Sequence, residues 1–164
     1  VTEKPMENIY NNKVTNSGLL TATGAETVYD TTVIIEFSID GIAYRKAAVT
    51  DGATPTTDGV TAAAFDAVTP DKACIFAWCL NASGTVSLIQ SEIVEVDGVT
   101  DLLEQPIQFP NIPSDRVAFA YTLYQTDGTS SASGLRPGTD NWNATGLTVT
   151  HRNLMDQPSR PVAS

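Results

Sequence analysis

The chemistry of this chain would have to come from one histidine, two cysteines and 19 acidic residues. His151 stands near the end of a predicted strand. A serine or cysteine nucleophile needs a positioned base, and neither a nucleophile elbow nor a reactive-cysteine motif accompanies His151. We therefore expect a surface or packed histidine and a protein that is not an enzyme.

The two cysteines, Cys74 and Cys79, lie five residues apart on one predicted strand and on opposite faces of it. Because a strand rises about 3.3 Å per residue, they are too far apart for a disulfide. We expect buried thiols, in keeping with a reducing cytoplasm, and no secretory signal is recognisable. The ligands are too few for zinc, and the aspartate-rich loops lack the EF-hand spacing, so no metal or cofactor is expected.

Carboxylate pairs and one tryptophan are the remaining candidates for a binding site. Acidic residues are frequent enough that some pair always fits glycoside hydrolysis, while aromatic residues to line a cleft make up only 7% of the chain. Trp142 follows a long Gly/Ser/Thr loop. It either packs down to pin that loop or, with Tyr124, forms a platform for sugars.

The charge of the chain limits its partners. Its formal net charge of −10 argues against nucleic-acid binding, which needs a basic stripe, and against docking on an anionic membrane. The apolar runs are far shorter than the roughly 18 residues of a membrane span. The acidity serves solubility, or else a surface that meets a basic partner or divalent cations.

A predicted hairpin over residues 72–96 provides the centre of the fold. Its first strand is apolar on both faces, with Cys74, Phe76, Trp78 and Leu80 on one side and Ile75, Ala77 and Cys79 on the other. A strand of this kind is central and covered on both faces. We expect the second face to be covered by residues 105–113, whose prolines exclude them from the middle of a sheet, rather than by a sister subunit.

Other short strands surround this hairpin. Asp40-Gly41 predicts a two-residue turn between strands, and residues 61–68 are either one helical turn or a strand. Residues 116–126 and 146–152 predict two more strands, the first with Val117, Phe119, Tyr121 and Leu123 on one face. The pattern predicts an all-β protein, either an antiparallel β-sandwich or a small barrel.

Residues 1–26 differ from the rest in having many polar residues and only scattered apolar ones, and they are predicted to form an extended N-terminal arm. Residues 27–164 are predicted to form a single β-rich domain that ends in an extended C-terminal tail. The arm is either a frayed terminus or orders against a neighbouring subunit. In the second case, deletion of residues 1–24 should weaken partner binding and leave the fold intact. The anchors would be Ile9, Tyr10, Leu19 and Leu20.

Several segments between residues 33 and 161, taken in order, resemble small virion structural proteins of tailed bacteriophages, of the head decoration or cement type. The first are Ile42-Ala-Tyr44-Arg-Lys46-Ala-Ala48, Pro55-Thr-Thr-Asp58 and the hairpin with its Gly84 turn running to Gln90. The later ones are Phe109-Pro110, Phe119-Ala-Tyr121, Asn141-Trp-Asn143-Ala-Thr145-Gly146-Leu-Thr148, Leu154 and Pro158-Ser-Arg160-Pro161.

This resemblance implies a non-enzymatic protein on the outer capsid surface of a virion, made in the host cytoplasm. It would bind the major capsid protein, often as a homotrimer, and stabilise the head by bridging capsid subunits. A tail or baseplate component and a carbohydrate- or receptor-binding module are the alternatives. The expected interaction residues are Ile9, Tyr10, Leu19, Leu20, Trp142 and Arg160.

Overall fold

A computed structural model describes residues 12–155 of the chain. This part consists of β-strands joined by turns and loops, without an α-helix. The strands are β1 (Lys13–Ser17), β2 (Leu20–Thr21), β3 (Val28–Thr31), β4 (Ile35–Ile39), β5 (Ile42–Lys46), β6 (Val49–Ala53), β7 (Lys72–Asn81), β8 (Val86–Gln90), β9 (Val94–Glu95), β10 (Arg116–Thr126) and β11 (Leu147–Asn153).

Within residues 12–155 the strands form three antiparallel sheets. The largest has the order β11-β10-β7-β8, and β9 also pairs with β7. The two smaller sheets have the orders β1-β4-β5 and β2-β3-β6. The all-β prediction is therefore confirmed. Because the sheets do not close into a barrel, the arrangement is that of a β-sandwich, the first of the two predicted architectures.

The main core lies between the large sheet and the two smaller ones. Cys74, Phe76, Trp78 and Leu80 of β7 are fully buried in it. The smaller sheets contribute their own inward-facing side chains, and β4 alternates buried and half-buried residues. These contributions are Val14, Leu20, Tyr29, Ile35, Phe37 and Ile39.

The other face of β7 is covered by the chain's own 105–113 connection, as predicted. Ala77 and Cys79 pack with Ile112, and Phe109 lies against the same cluster. Ile107 of the same connection packs against a third small cluster at the β9 end of the sheet. Both cysteines are free and buried, which confirms the prediction of separate core thiols.

The predicted alternation of β10 is wrong beyond Phe119. A β-bulge lies between Ala118 and Ala120, where β10 holds one more residue than the β7 segment opposite. Phe119 and Ala120 consequently both join the main core. The residues of β10 that follow the bulge face the side opposite to the one that simple alternation predicts. Tyr121 therefore packs against Phe109 on the outer layer, at 5.9 Å between ring centroids.

The prediction of an extended arm is wrong for the part of it that the structure describes. Residues 13–17 form β1, which pairs with β4, and residues 20–21 form β2, which pairs with β3. Val14 and Leu20 are buried in the main core, so a deletion of residues 1–24 would remove part of that core. Residues 1–11 and 156–164, with Ile9, Tyr10, Arg160 and the predicted tail, lie outside the described residues.

Two turn regions give different outcomes for local prediction. Asp40 and Gly41 have φ values of 51° and 77°, the positive values that a two-residue hairpin turn requires, and the predicted hairpin is confirmed. Residues 61–68 form neither a helix nor a strand of a sheet. They are held by isolated bridges at Ala64 and Val68, with Phe65 buried between them.

Candidate functional site

A recess of about 440 Å³ opens on the surface beside the end of β8. Three segments that are distant in sequence form its walls, namely residues 58–61, 89–92 and 108–111. We call it the β8 recess. It combines backbone turns with polar side chains and one aromatic ring, so its geometry depends on how these three segments are held together.

Asp58 holds the first wall. One carboxylate oxygen accepts hydrogen bonds from the backbone amides of Val60 and Thr61 at 2.8 and 3.0 Å, and the other accepts the Gln90 amide at 2.9 Å. The neighbouring carbonyl of Gly59 accepts a bond from the Arg116 guanidinium at 2.9 Å. The loop is thus attached to the free edge of β8, and it covers backbone groups that an edge strand would expose.

Gln90 fixes the adjoining loop through both ends of its amide. Its Oε1 accepts the Asp66 backbone N–H and its Nε2 donates to the Asp66 carbonyl, each at 2.9 Å. Next to it, the Ser91 hydroxyl accepts the Ile75 amide at 2.8 Å and donates to the Glu92 carbonyl at 3.0 Å. The polar groups of Gln90 and Ser91 are therefore occupied by structural bonds.

Other polar side chains around the β8 recess remain available to a ligand. Those of Glu92, Gln108 and Asn111 are not hydrogen-bonded to any residue within the described range 12–155. Phe109 contributes an apolar wall that is fixed by its contact with Tyr121. Such a surface can make hydrogen bonds and apolar contacts with a protein segment.

Across residues 12–155 no group of three or more His, Cys, Asp or Glu side chains could hold a metal ion.

Trp142 packs into the protein and pins its loop, which is the first of the two alternatives from the sequence. Only 3% of the residue is exposed, and its indole N–H donates to the Val28 carbonyl at 2.8 Å. Its ring contacts those of Trp78 and His151. Tyr124 is fully buried as well, so the sugar platform predicted from these two residues is wrong.

His151 is a half-buried, packed residue in a chain of hydrogen bonds that reaches into the core. Its Nε2 faces the Ala22 carbonyl at 2.8 Å and must donate there, which assigns Nδ1 as acceptor of the Thr122 hydroxyl at 2.7 Å. The Thr122 oxygen in turn accepts the Trp78 indole N–H at 2.8 Å. Burial lowers the pKa of His151 below its usual value, which favours the neutral imidazole of this arrangement.

The three predicted interaction residues that the structure describes, Leu19, Leu20 and Trp142, do not form one exposed surface. Leu20 and Trp142 are buried, whereas Leu19 is 48% exposed. No local pattern in the sequence predicts the β8 recess, because its walls meet only through long-range contacts. An exposed apolar loop after β9 was not predicted either, and its available signal was Asp97-Gly98 followed by aliphatic residues.

Comparisons with known proteins leave the chain without a matching relative. No protein-family model matches it, and neither the curated proteins nor the solved structures contain a significant match. Among residues 12–155 no helix has the length and apolar character needed to cross a membrane.

Proposed function

We propose that this protein is a non-enzymatic structural component of a phage virion that binds the outer capsid surface. As a homotrimer it would bridge neighbouring subunits of the major capsid protein and stabilise the head. The proposal is carried by the position, in the folded chain, of residues from the segments that resemble decoration proteins. Asp58, Gln90 and the Phe109-Pro110 pair come from three separate segments of that resemblance, and all four residues line the β8 recess.

The contact between Asp58 and Gln90 explains why such a set would be kept together. A carboxylate at position 58 bonds the backbone amide of residue 90 across 32 positions of sequence. Two of the resembling segments are therefore joined by a direct hydrogen bond in the fold. This supports a shared local framework, whereas the decoration function is what the resemblance itself implies.

The physical properties of the chain are compatible with a lattice-binding protein. Its acidity favours a partner surface with basic groups. Many copies that bind one closed shell and each other need only modest affinity per contact, because each bound copy raises the effective concentration of its neighbours' contacts. A fixed antiparallel framework also suits a protein that must resist outward pressure without changing shape.

Binding to purified heads tests the proposal. Heads of the phage that encodes this chain, stripped of surface proteins, are mixed with the purified chain and sedimented. We expect saturable binding at the outer surface, located by cryo-electron microscopy, and greater resistance of the decorated heads to heat. Mass photometry of the free protein is expected to show three copies of the 17.4-kDa chain. Absence of binding to heads, or density at the tail or baseplate only, would overturn the proposal.

A further inference from the structure

An exposed apolar loop follows β9 and protrudes from the end of the large sheet. It comprises residues 97–104 and is called the aliphatic loop here. Val99 is 92% exposed, Leu102 is 66% exposed and Leu103 is 38% exposed. Single exposed aliphatic residues are common on protein surfaces, but three on one short loop are the usual mark of an interaction site.

Hydrogen bonds hold the aliphatic loop in one conformation. The Asp97 carboxylate accepts the amides of Val99 and Thr100 at 2.9 and 2.7 Å and the Thr100 hydroxyl at 3.0 Å. Backbone bonds join Asp97 to Leu102 and to Asp101, each at 2.8 Å. The Gln125 side chain also donates to the Asp101 carbonyl at 2.8 Å. The exposed side chains are thus presented in a fixed arrangement, which lowers the entropy lost when a partner binds them.

The aliphatic side chains stay outside although an apolar cluster lies directly beneath the loop. Val94 and Val96, just before the loop, are buried together with Ala73. The loop closes on this base through the Val96–Leu103 bridge and the bond from the Glu104 amide to the Glu95 carbonyl. Beyond that base the fold turns Val99 and Leu102 outward, and no residue between 12 and 155 covers them.

The charges around the loop define the chemistry of that molecule. Four carboxylates lie in residues 95–104, and no lysine or arginine does. Lys72 pairs with Glu95 at the base of the loop. Asp97, Asp101 and Glu104 form no ion pair with another residue of the described range 12–155. A complementary partner has an apolar pocket with lysine or arginine residues at its rim. Two copies that met through this loop would oppose its four carboxylates, so the proposed homotrimer would form through other surfaces.

We propose that the aliphatic loop is the contact through which this protein binds the major capsid protein. Val99 and Leu102 enter an apolar pocket on the capsid surface, and Asp101 and Glu104 face basic residues at the rim of that pocket. This inference rests on the proposed function, since it names the part of the chain that meets the capsid.

Two matched double variants test the apolar part of the contact. Val99→Ser/Leu102→Ser removes the aliphatic groups of the loop, and Val33→Ser/Ile42→Ser removes exposed aliphatic groups elsewhere, where Val33 is 38% and Ile42 is 59% exposed. Both are titrated onto stripped heads after their unfolding transitions have been compared with that of the wild type. We expect the loop variant to bind at least about tenfold more weakly, as for removal of central anchor residues, and the control to bind as the wild type does.

A third variant, Asp101→Asn/Glu104→Gln, tests the charged part. Asp101 has a φ of 55°, a conformation that asparagine also adopts, so the loop geometry is kept. Asp97 is left in place because it folds the loop. We expect several-fold weaker binding and a smaller dependence of binding on salt, since two charge contacts are lost.

The outcomes separate this inference from the proposed function. If the wild-type chain does not bind heads, the proposed function fails. If the wild type and the loop variant bind heads equally, the loop inference fails while the proposed function stands. The inference is also overturned if the loop variant changes only the oligomeric state of the free chain, or only its binding to phosphatidylcholine vesicles. In those cases the loop is covered by a second copy or by lipid.

Discussion

Two buried hydroxyl groups on β10 differ in their surroundings and therefore in what they contribute to stability. The Thr122 hydroxyl bonds both Trp78 and His151, whereas the Tyr124 hydroxyl is buried without a hydrogen-bond partner among the described residues. We expect Thr122→Val to lower the free energy of unfolding by about 2 kcal/mol, because the buried Trp78 indole N–H and the half-buried His151 ring nitrogen both lose their partner. We expect Tyr124→Phe to leave it unchanged or raise it by up to about 1 kcal/mol.

Urea unfolding of the two variants at pH 7.5 measures both effects. Each substitution removes one hydroxyl from the same strand, so Tyr124→Phe serves as the matched control for Thr122→Val. A larger loss for Tyr124→Phe than for Thr122→Val would contradict the assignment of partners.

The protonation of His151 makes the free energy of unfolding depend on pH in the acidic range below neutrality. Burial lowers the pKa of His151 in the folded state, so the unfolded chain takes up the proton first as the pH falls. Above pH about 6.5, the ordinary histidine pKa, the neutral His151 contributes its full share to the free energy of unfolding. We expect this contribution to be lost as the pH falls from that value toward the pKa of the folded state. Protonation would also place a second N–H donor against the Thr122 hydroxyl.

Urea titrations at pH 7.5 and 5.5 test this dependence, with His151→Gln as the non-titrating control. The wild type should lose stability between the two pH values, and the variant should lose clearly less. The pKa values of Asp97, Asp115 and Asp127 are lowered. Protonation of these carboxylates therefore reduces the free energy of unfolding only at a pH below this window. An equal loss in the wild type and the variant would show that His151 is not responsible.

At the scale of elements, two glycines test whether residues 12–26 belong to the fold. Gly18 and Gly24 both have positive φ values, of 79° and 82°. A Cβ at Gly18 would collide with the Ile35 side chain in the core, while a Cβ at Gly24 would meet open space. We expect Gly24→Ala to cost about 1 kcal/mol of backbone strain and Gly18→Ala about 3 kcal/mol, since overpacking adds to the same strain.

Thermal unfolding of the two alanine variants distinguishes a framework segment from a loosely attached arm. In the structure, the segment lies against β4, so the Gly18 variant should melt at a clearly lower temperature than the Gly24 variant. Equal melting temperatures would mean that residues 12–26 contribute little to the fold.

The elements also show which parts of the fold local sequence predicts. The β7–β8 hairpin was predictable because its first strand carries apolar residues on both faces and its turn is formed by Asn81 to Gly84. β1 and β2 were missed because both are short and β1 contains Asn16 and Ser17. They are strands because they pair with β4 and β3. The bulge at Phe119 has no sequence signal of its own, since it depends on the register with β7.

At the scale of the whole molecule, the two thiols report global unfolding. Cys74 and Cys79 are fully buried on the central strand β7, and burial raises the pKa of each thiol to about 12. We expect neither to react with a thiol reagent in native buffer, and both to react together as urea unfolds the protein. Mass spectrometry of samples taken over time counts the labelled thiols. A singly labelled species in native buffer would instead indicate local opening of β7.

The sequence by itself determined the class of the fold, the central hairpin, the cover over its second face and the free thiols. These follow from the alternation of side chains along a strand and from the backbone angles that a turn requires, which are properties of neighbouring residues. Only the tertiary structure decided that Trp142 is buried, that residues 13–17 and 20–21 form strands, that three segments meet at the β8 recess and that Val99 is exposed. Burial and strand pairing depend on residues far along the chain, so a local pattern leaves them open.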